Sequence, residues 1–497
     1  MFILTCICVC LPILFVDLVH GSTLTGPPLS AVVAGFDGVY DLSLFANTLS
    51  DQGIDVTLIV PETIAHDLYE NLIDVEVYKL NVSFGKSDYP EDQALKFCER
   101  LLDDKELSQK IQEIQPTFTL FPALRHDGCL LPWIKSIDSI PVVLTRNAYE
   151  EIYAFERTGV ALPILQNSFW SRVSTNLAWR SISSKVESNY VKPAFKLAKE
   201  HLPNVPIEQD NLYSDVRLVL WGADTVLRKD FASLTEMLVE VGCHHCREPQ
   251  PLPDDLRKLL VEHNLNSVIV LLDGHYKSLI EQIVEKLPRG RQGYAVVWKN
   301  TKLTHNKEEK LPESLYLWQD VDRQDLIGNG RTRVLLSHCA DTELLETAFH
   351  GTPVICFPRD AQESKNADRA VQLGFALAIA NADQTSSEDI ANLIRTIHTT
   401  TDYRENARRV SVALRHRLNP ASDRLAFWLL YVARTKGYRE KFLEAPARVS
   451  TFNEDFQFFI GLCTGVIVGL LLACIGFLLR YVIMSDRIRK SKGRYER

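Results

Sequence analysis

The chain has 497 residues, 46% hydrophobic and 24% charged, with a formal net charge of −8. That balance excludes a disordered chain and gives no electrostatic footprint for a nucleic-acid partner. The length predicts two or more domains with accessory segments.

Residues 1–21 carry an apolar run to Val16, end in Val19-His20-Gly21 and read as a secretory signal, although no basic side chain lies near the start. Residues 29–34 (LSAVVA) predict a buried strand. Asp37-Gly38 makes a turn, and 40–50 place Leu42, Phe45, Ala46 and Leu49 on one helical face. Gly53 ends that helix and 56–60 (VTLIV) is the next strand. This βαβ opening implies a parallel, doubly wound sheet. An amphipathic helix is expected at 91–114, strands at 117–121, 141–144 and 217–221, and a mostly helical stretch at 171–201.

Residues 241–256 (VGCHHCREPQPLPDDL) carry three prolines and few large apolar side chains, as an interdomain linker does. A structural zinc site needs four tetrahedrally placed ligands, which the adjacent Cys243, His244, His245 and Cys246 cannot readily supply. A disulfide or free thiols are expected there, and no metal.

A second domain begins with a strand at 267–272, followed by Asp273-Gly274-His275, a helix at 277–286 and strands at 294–298 and 316–318. The stretch 331–376 then reads strand, loop, helix, strand, loop, helix. Asp341 or Thr342 is the expected helix cap, and Gly351-Thr352-Pro353 the stop. A loop between a parallel strand and a helix N-terminus is where such sheets bind phosphates. An apolar segment at 373–379, a helix at 387–398 and an amphipathic stretch at 420–437 complete this part.

Residues 458–479 carry no charge and are long enough to span a bilayer. Seven basic residues against two acidic ones follow, so the tail is expected in the cytosol and the bulk of the chain in the lumen or outside the cell. The sequon Asn81-Val82-Ser83 fits that side. Cys98, Cys129, Cys243, Cys246, Cys339 and Cys356 would then share an oxidising compartment, which permits disulfides.

His338, Glu346, His350-Gly351-Thr352-Pro353, Pro358 and Asn366 fall in the register of the donor-binding signature of the UDP-glucuronosyltransferase family, the UDP-glycosyltransferases. The linker, the 420–437 stretch, the anchor and the basic tail resemble that family in the same order. The resemblance implies an α/β chain of two doubly wound Rossmann-like domains (GT-B architecture) plus one C-terminal transmembrane helix. It assigns 22–240 to acceptor binding, 241–256 to the linker, 257–419 to UDP-sugar binding and 420–455 to helices returning to the first domain. Residues 456–480 then span the membrane and 481–497 form the tail. It further implies a type I protein of the endoplasmic reticulum membrane, a UDP-sugar donor with no cofactor, a small lipophilic hydroxylated acceptor, and homo- or hetero-oligomers with family members.

Inverting transfer needs a base for the acceptor hydroxyl and stabilisation of the leaving diphosphate. The family base, a histidine after the first strand, falls on Gly38, whose loop offers only Asp37, Tyr40 and Asp41. The orienting aspartate aligns with Asp127. The neighbouring His126 is the candidate to approach the acceptor from the other loop in the base's place. Gly274, His338, Glu346, Gln362, Glu363 and Asn366 are the donor-side candidates. Cys339-Ala340 replaces a glycine pair, which removes easy access to positive φ. Asp341 and Glu343 would repel a diphosphate on the same helix N-terminus unless Arg331, Arg333 or Arg359 offsets them. Two readings follow: a transferase of hexose or hexuronic acid, or an impaired member acting as a binding or partner subunit. A cell-surface receptor has only the topology behind it.

Overall fold

The computed structural model describes residues 29–495, except 86–87, 124, 147–157, 159–168, 217, 229–236, 263–265, 290–292, 300–310, 382–383 and 436–448. The expected secretory signal, the final residues of the basic tail and the end of the 420–437 stretch lie outside the described residues.

The first sheet has seven parallel strands: β1 (Ser30–Ala34), β2 (Asp55–Pro61), β3 (Val75–Leu80), β4 (Phe118–Pro122), β5 (Ile140–Thr145), β6 (Leu218–Trp221) and β7 (Leu238–Glu240). Their spatial order is β3-β2-β1-β4-β5-β6-β7. The second sheet has six: β8 (Asn266–Val270), β9 (Tyr294–Lys299), β10 (Leu315–Trp318), β11 (Thr332–Ser337), β12 (Val354–Cys356) and β13 (Ala376–Ala378). Their order is β10-β9-β8-β11-β12-β13. Both sheets are doubly wound, with the strand order reversing beside β1 and beside β8. Ligands bind such sheets at the carboxyl ends of the strands at that reversal.

The apolar runs become strands because both faces of each sheet are covered. Along β1, Val32 and Ala34 enter one core while Ala31 and Val33 enter the core on the opposite face. Along β11, Leu335 faces one layer and Val334 and Leu336 the other.

The helices that matter for the site and its surroundings are α1 (Val39–Asp51), α2 (Pro90–Asp103), α3 (Lys105–Ile114), α4 (Asp127–Ser136), α5 (Asp254–Glu262), α6 (Arg323–Ile327), α7 (Asp341–His350), α8 (Ala361–Gln372), α9 (Ser387–Thr399), α10 (Thr401–Arg415), α11 (Ala421–Arg434) and α12 (Val449–Tyr495). The helix expected over 91–114 is two. Asp104 leaves helical geometry and its carboxylate accepts the Leu107 N–H, so it caps α3. The edge strand β3 is only half buried, and β7 is three residues long. Neither carries the apolar run that marks the other strands. Helix α11 returns to the first domain, where Leu425, Leu429 and Val432 join the core under β1. Within α12, Phe459–Ser485 has a mean hydropathy of 2.7 and is long and apolar enough to cross a membrane.

Candidate functional site: the interdomain cleft

The carboxyl ends of β1 and β4 face those of β8 and β11 across a cavity of about 240 Å³ whose lining includes Tyr40, Tyr69, Asp273, Lys299, Arg323 and Glu343. The two halves are tied directly. The Tyr69 hydroxyl donates to Asp322 at 2.7 Å, and Lys299 Nζ lies 3.3 Å from Glu70. Burial and the Asp322 carboxylate push the Tyr69 hydroxyl up to about 12.

On the first-domain side, Gly38 precedes α1 in the left-handed region, with φ 61°. The Arg146 guanidinium lies over it, donating to the Gly38 carbonyl at 3.1 Å and pairing with Asp41 at 3.0 Å. A Cβ built on Gly38 would sit 2.0 Å from two Arg146 nitrogens. The place where the resemblance puts a base is therefore filled by an arginine from the other loop.

His126 is buried, and its Nε2 accepts the Phe36 N–H at 3.0 Å while its ring stacks on Phe36 at 4.3 Å. That nitrogen could take a proton only by giving up a buried backbone bond, which costs about 1–3 kcal/mol. Asp127, also buried, accepts from the Tyr213 hydroxyl at 2.5 Å and from the Gly128 N–H at 2.9 Å. The structure sets the two residues beside the Gly38 loop, with these oxygens and this nitrogen engaged within the first domain.

On the second-domain side, His338 follows the last residue of β11. Its Nδ1 lies 2.9 Å from the Phe357 carbonyl, which can only accept, so Nδ1 carries the proton. Nε2 is buried with no hydrogen-bond partner among the described residues, 3.6 Å from Asp273. Gly274 opens a single helical turn after β8, and Asp273 accepts the His275 N–H there.

Glu346 is fully buried and gripped by Arg323 from α6 through two bonds, Nε to Oε2 at 2.5 Å and Nη2 to Oε1 at 2.7 Å. His245 Nε2 lies 3.2 Å from Oε1. Burial alone would raise this carboxyl; Arg323, helped by His245, outweighs it and holds it at about 2. The Arg323 guanidinium also stacks over the Tyr40 ring at 4.6 Å. Burial pushes the Tyr40 hydroxyl far above its usual range.

The acidic departures each have internal donors. Asp341 Oδ1 accepts from Asn366 Nδ2 at 2.7 Å, from Arg228 at 3.2 Å and from Gln362 at 3.3 Å. Glu343 accepts from the Ser337 hydroxyl at 2.5 Å. Glu363 accepts the Arg359 N–H at 2.7 Å and Arg359 Nη2 at 2.6 Å. Of the three arginines considered as offsets, Arg359 is engaged by Glu363. Arg331 and Arg333 stand at the opposite end of β11 from His338.

Two expectations need correcting. The N-cap of α7 is Ala340, which offers no side-chain bond; Asp341 is already helical, and its carboxylate is turned to Asn366 and Arg228. Loss of the glycine pair does not remove positive φ either. Cys339 adopts φ 59° and is bonded to Cys356 on the neighbouring strand, so a crosslink holds the backbone where glycine would have rested. Disulfides Cys98–Cys129 and Cys243–Cys246 engage the other four cysteines of the two domains. Among the described residues no group of three His, Cys, Asp or Glu side chains could hold a metal ion. Sequence reading missed Arg146, Arg228 and Arg323, which stand outside every recognised motif. His245 lay in view within the linker, but only the fold carries it to Glu346.

Two doubly wound domains with their strand ends facing across a cleft make up the GT-B architecture. The sequence profile described as "UDP-glucoronosyl and UDP-glucosyl transferase" matches residues 55–484, and the chain belongs to that family. UDP-glucuronosyltransferase 2B30 of Macaca fascicularis is 23% identical over 427 residues, covering 79% of this chain and 76% of that protein. Among solved structures, CalG4, the calicheamicin glycosyltransferase, superimposes with a TM-score of 0.60 at 13% identity, covering 82% of this chain and all of that one. Phytolacca americana UGT2, complexed with UDP-2fluoro-glucose and pterostilbene, gives 0.54 at 15% identity, covering 83% of this chain and all of that one.

Proposed function

We propose that this chain is a membrane-anchored binding or partner member of the UDP-glycosyltransferase family that does not transfer sugar through the family's histidine base. The observation that carries the reading is the internal pairing of the cleft. Arg146 covers Gly38, Arg323 and His245 hold Glu346, and Asn366 with Arg228 holds Asp341. A diphosphate would have to displace Asp341 from its donors and lie beside Glu343, against like charge in a partly dry site.

A second reading is supported by the register of His338 and Asn366 and by the open cleft. It has the chain transferring hexose or hexuronic acid from a UDP-sugar to a small lipophilic hydroxylated acceptor. Either reading sits with a single-pass anchor at Phe459–Ser485 in the endoplasmic reticulum membrane and a lumenal bulk, which the three disulfides and the Asn81 sequon support.

The test is heat unfolding of the detergent-purified full chain with millimolar UDP, UDP-glucose or UDP-glucuronate, run beside an assay for UDP release with a panel of hydroxylated acceptors. A ligand held at a hundredth of its supplied concentration stabilises by about 2.7 kcal/mol. Unchanged midpoints with no UDP release are expected. Acceptor-dependent UDP release would overturn the proposal in favour of the transferase reading.

A further inference from the structure

At the end of the second sheet away from the cleft, a cavity of about 250 Å³ is lined by Arg333, His398, Arg404, Glu405 and Arg408, with Pro353 and Ile397 as apolar wall. Arg333 is the second residue of β11, and His338 follows its last. Five residues at about 3.3 Å each put the two roughly 17 Å apart, so this is not the donor cleft. We infer that this cavity is a binding site for a small phosphate monoester.

Three guanidinium groups converge here, and among the described residues none has a carboxylate at ion-pair distance. Arg333 spends only its Nε, donating to Asn266 at 2.9 Å. The one carboxylate in the lining, Glu405, is 3.9 Å from Arg409 on the outer face of α10. The next, Asp402, is exposed in the first turn of that helix. His398 is fixed by the Tyr294 hydroxyl, 2.6 Å from its Nδ1. Burial, then Arg333 and Arg408, lower the affinity of Arg404 for its proton, and burial with Arg333 and Arg404 does the same to His398. Cations gathered without a counter-charge repel one another, and the group that relieves them must bring negative charge.

Guanidinium forks match phosphate oxygens in pairs, and a phosphate monoester brings close to two negative charges at neutral pH. The cavity is larger than a bare phosphate needs, and the Pro353–Ile397 wall suits the carbon skeleton of an ester. The α10 N-terminus opens at Thr400 with no side-chain cap, so its first amides add to the same field.

Glycerol 3-phosphate is the soluble probe, with glycerol as control, on the full chain in neutral detergent. A second arm places the chain in phosphatidylcholine bicelles with or without phosphatidic acid, which carries the same headgroup on a lipid. A salt-sensitive rise in unfolding midpoint from either phosphate source is expected, and which source acts identifies the ligand's origin. The double variant Arg404→Gln, Arg408→Gln should bind at least about tenfold more weakly. It should also unfold, without ligand, at or above the wild-type midpoint, because the repulsion is gone. Three results overturn the proposal: no shift from either source, a variant that responds like wild type, or a ligand-free variant less stable than wild type, which would make these arginines structural.

Discussion

Replacing Arg323 by glutamine removes the charge that holds Glu346 while keeping most of the side chain's bulk. The Glu346 carboxyl lies at about 2 against a usual 4.5, and a tenfold change in proton affinity is about 1.4 kcal/mol. The fold therefore draws about 3 kcal/mol from this group, in line with the 3–5 kcal/mol lost when one partner of a buried pair is removed. Because the folded value is depressed, that stability is fully present above pH 4.5 and is lost as pH falls towards 2. In Arg323→Gln the carboxyl stays buried with only His245 beside it, so its pKa rises and protonation relieves it. The deficit against wild type should be about 3 kcal/mol or more at pH 7 and should shrink as pH falls through the variant's raised value towards 2. Urea unfolding of both proteins at pH 7 and pH 4 measures this. A difference below about 0.5 kcal/mol at pH 7 would refute the claim that Arg323 secures Glu346.

Gly38→His should destabilise by about 1–3 kcal/mol, because φ 61° strains any residue with a Cβ and Arg146 fills the space; transfer should be sought only in the Gly38→His, Arg146→Ala pair, where the imidazole has room. Burial, with Arg247 adding to it, lowers His350 from 6.5 to about 4 despite the nearby carboxylates. Its stability contribution, about 3 kcal/mol at most, is present above pH 6.5 and lost as pH falls towards 4, and His350→Gln should flatten that part of the stability–pH curve. Removing the Cys339–Cys356 crosslink as the double alanine variant should cost about 3 kcal/mol for a closed loop of this length, read as a lower urea midpoint under non-reducing conditions.

The sequence by itself determined the layered α/β architecture, the strand and helix order around 331–376, the family and the apolar span. Each depends on local pattern: apolar runs for strands covered on both faces, 3.6-residue spacing for helices, and glycine and proline stops. The half-buried edge strand β3 and the short β7 escaped because neither has such a run. The departures at Gly38, Cys339 and Asp341 were also legible, but their consequences were not. Only the tertiary structure decided that Arg146 fills the space over Gly38, that Arg323 and Arg228 neutralise Glu346 and Asp341, and that Cys339 and Cys356 hold the loop between β11 and α7. Arg146 and Gly38 are 108 positions apart, and Arg228 and Asp341 are 113 apart. Contacts across such separations leave no local periodicity, because their geometry exists only after the distant segments have folded together.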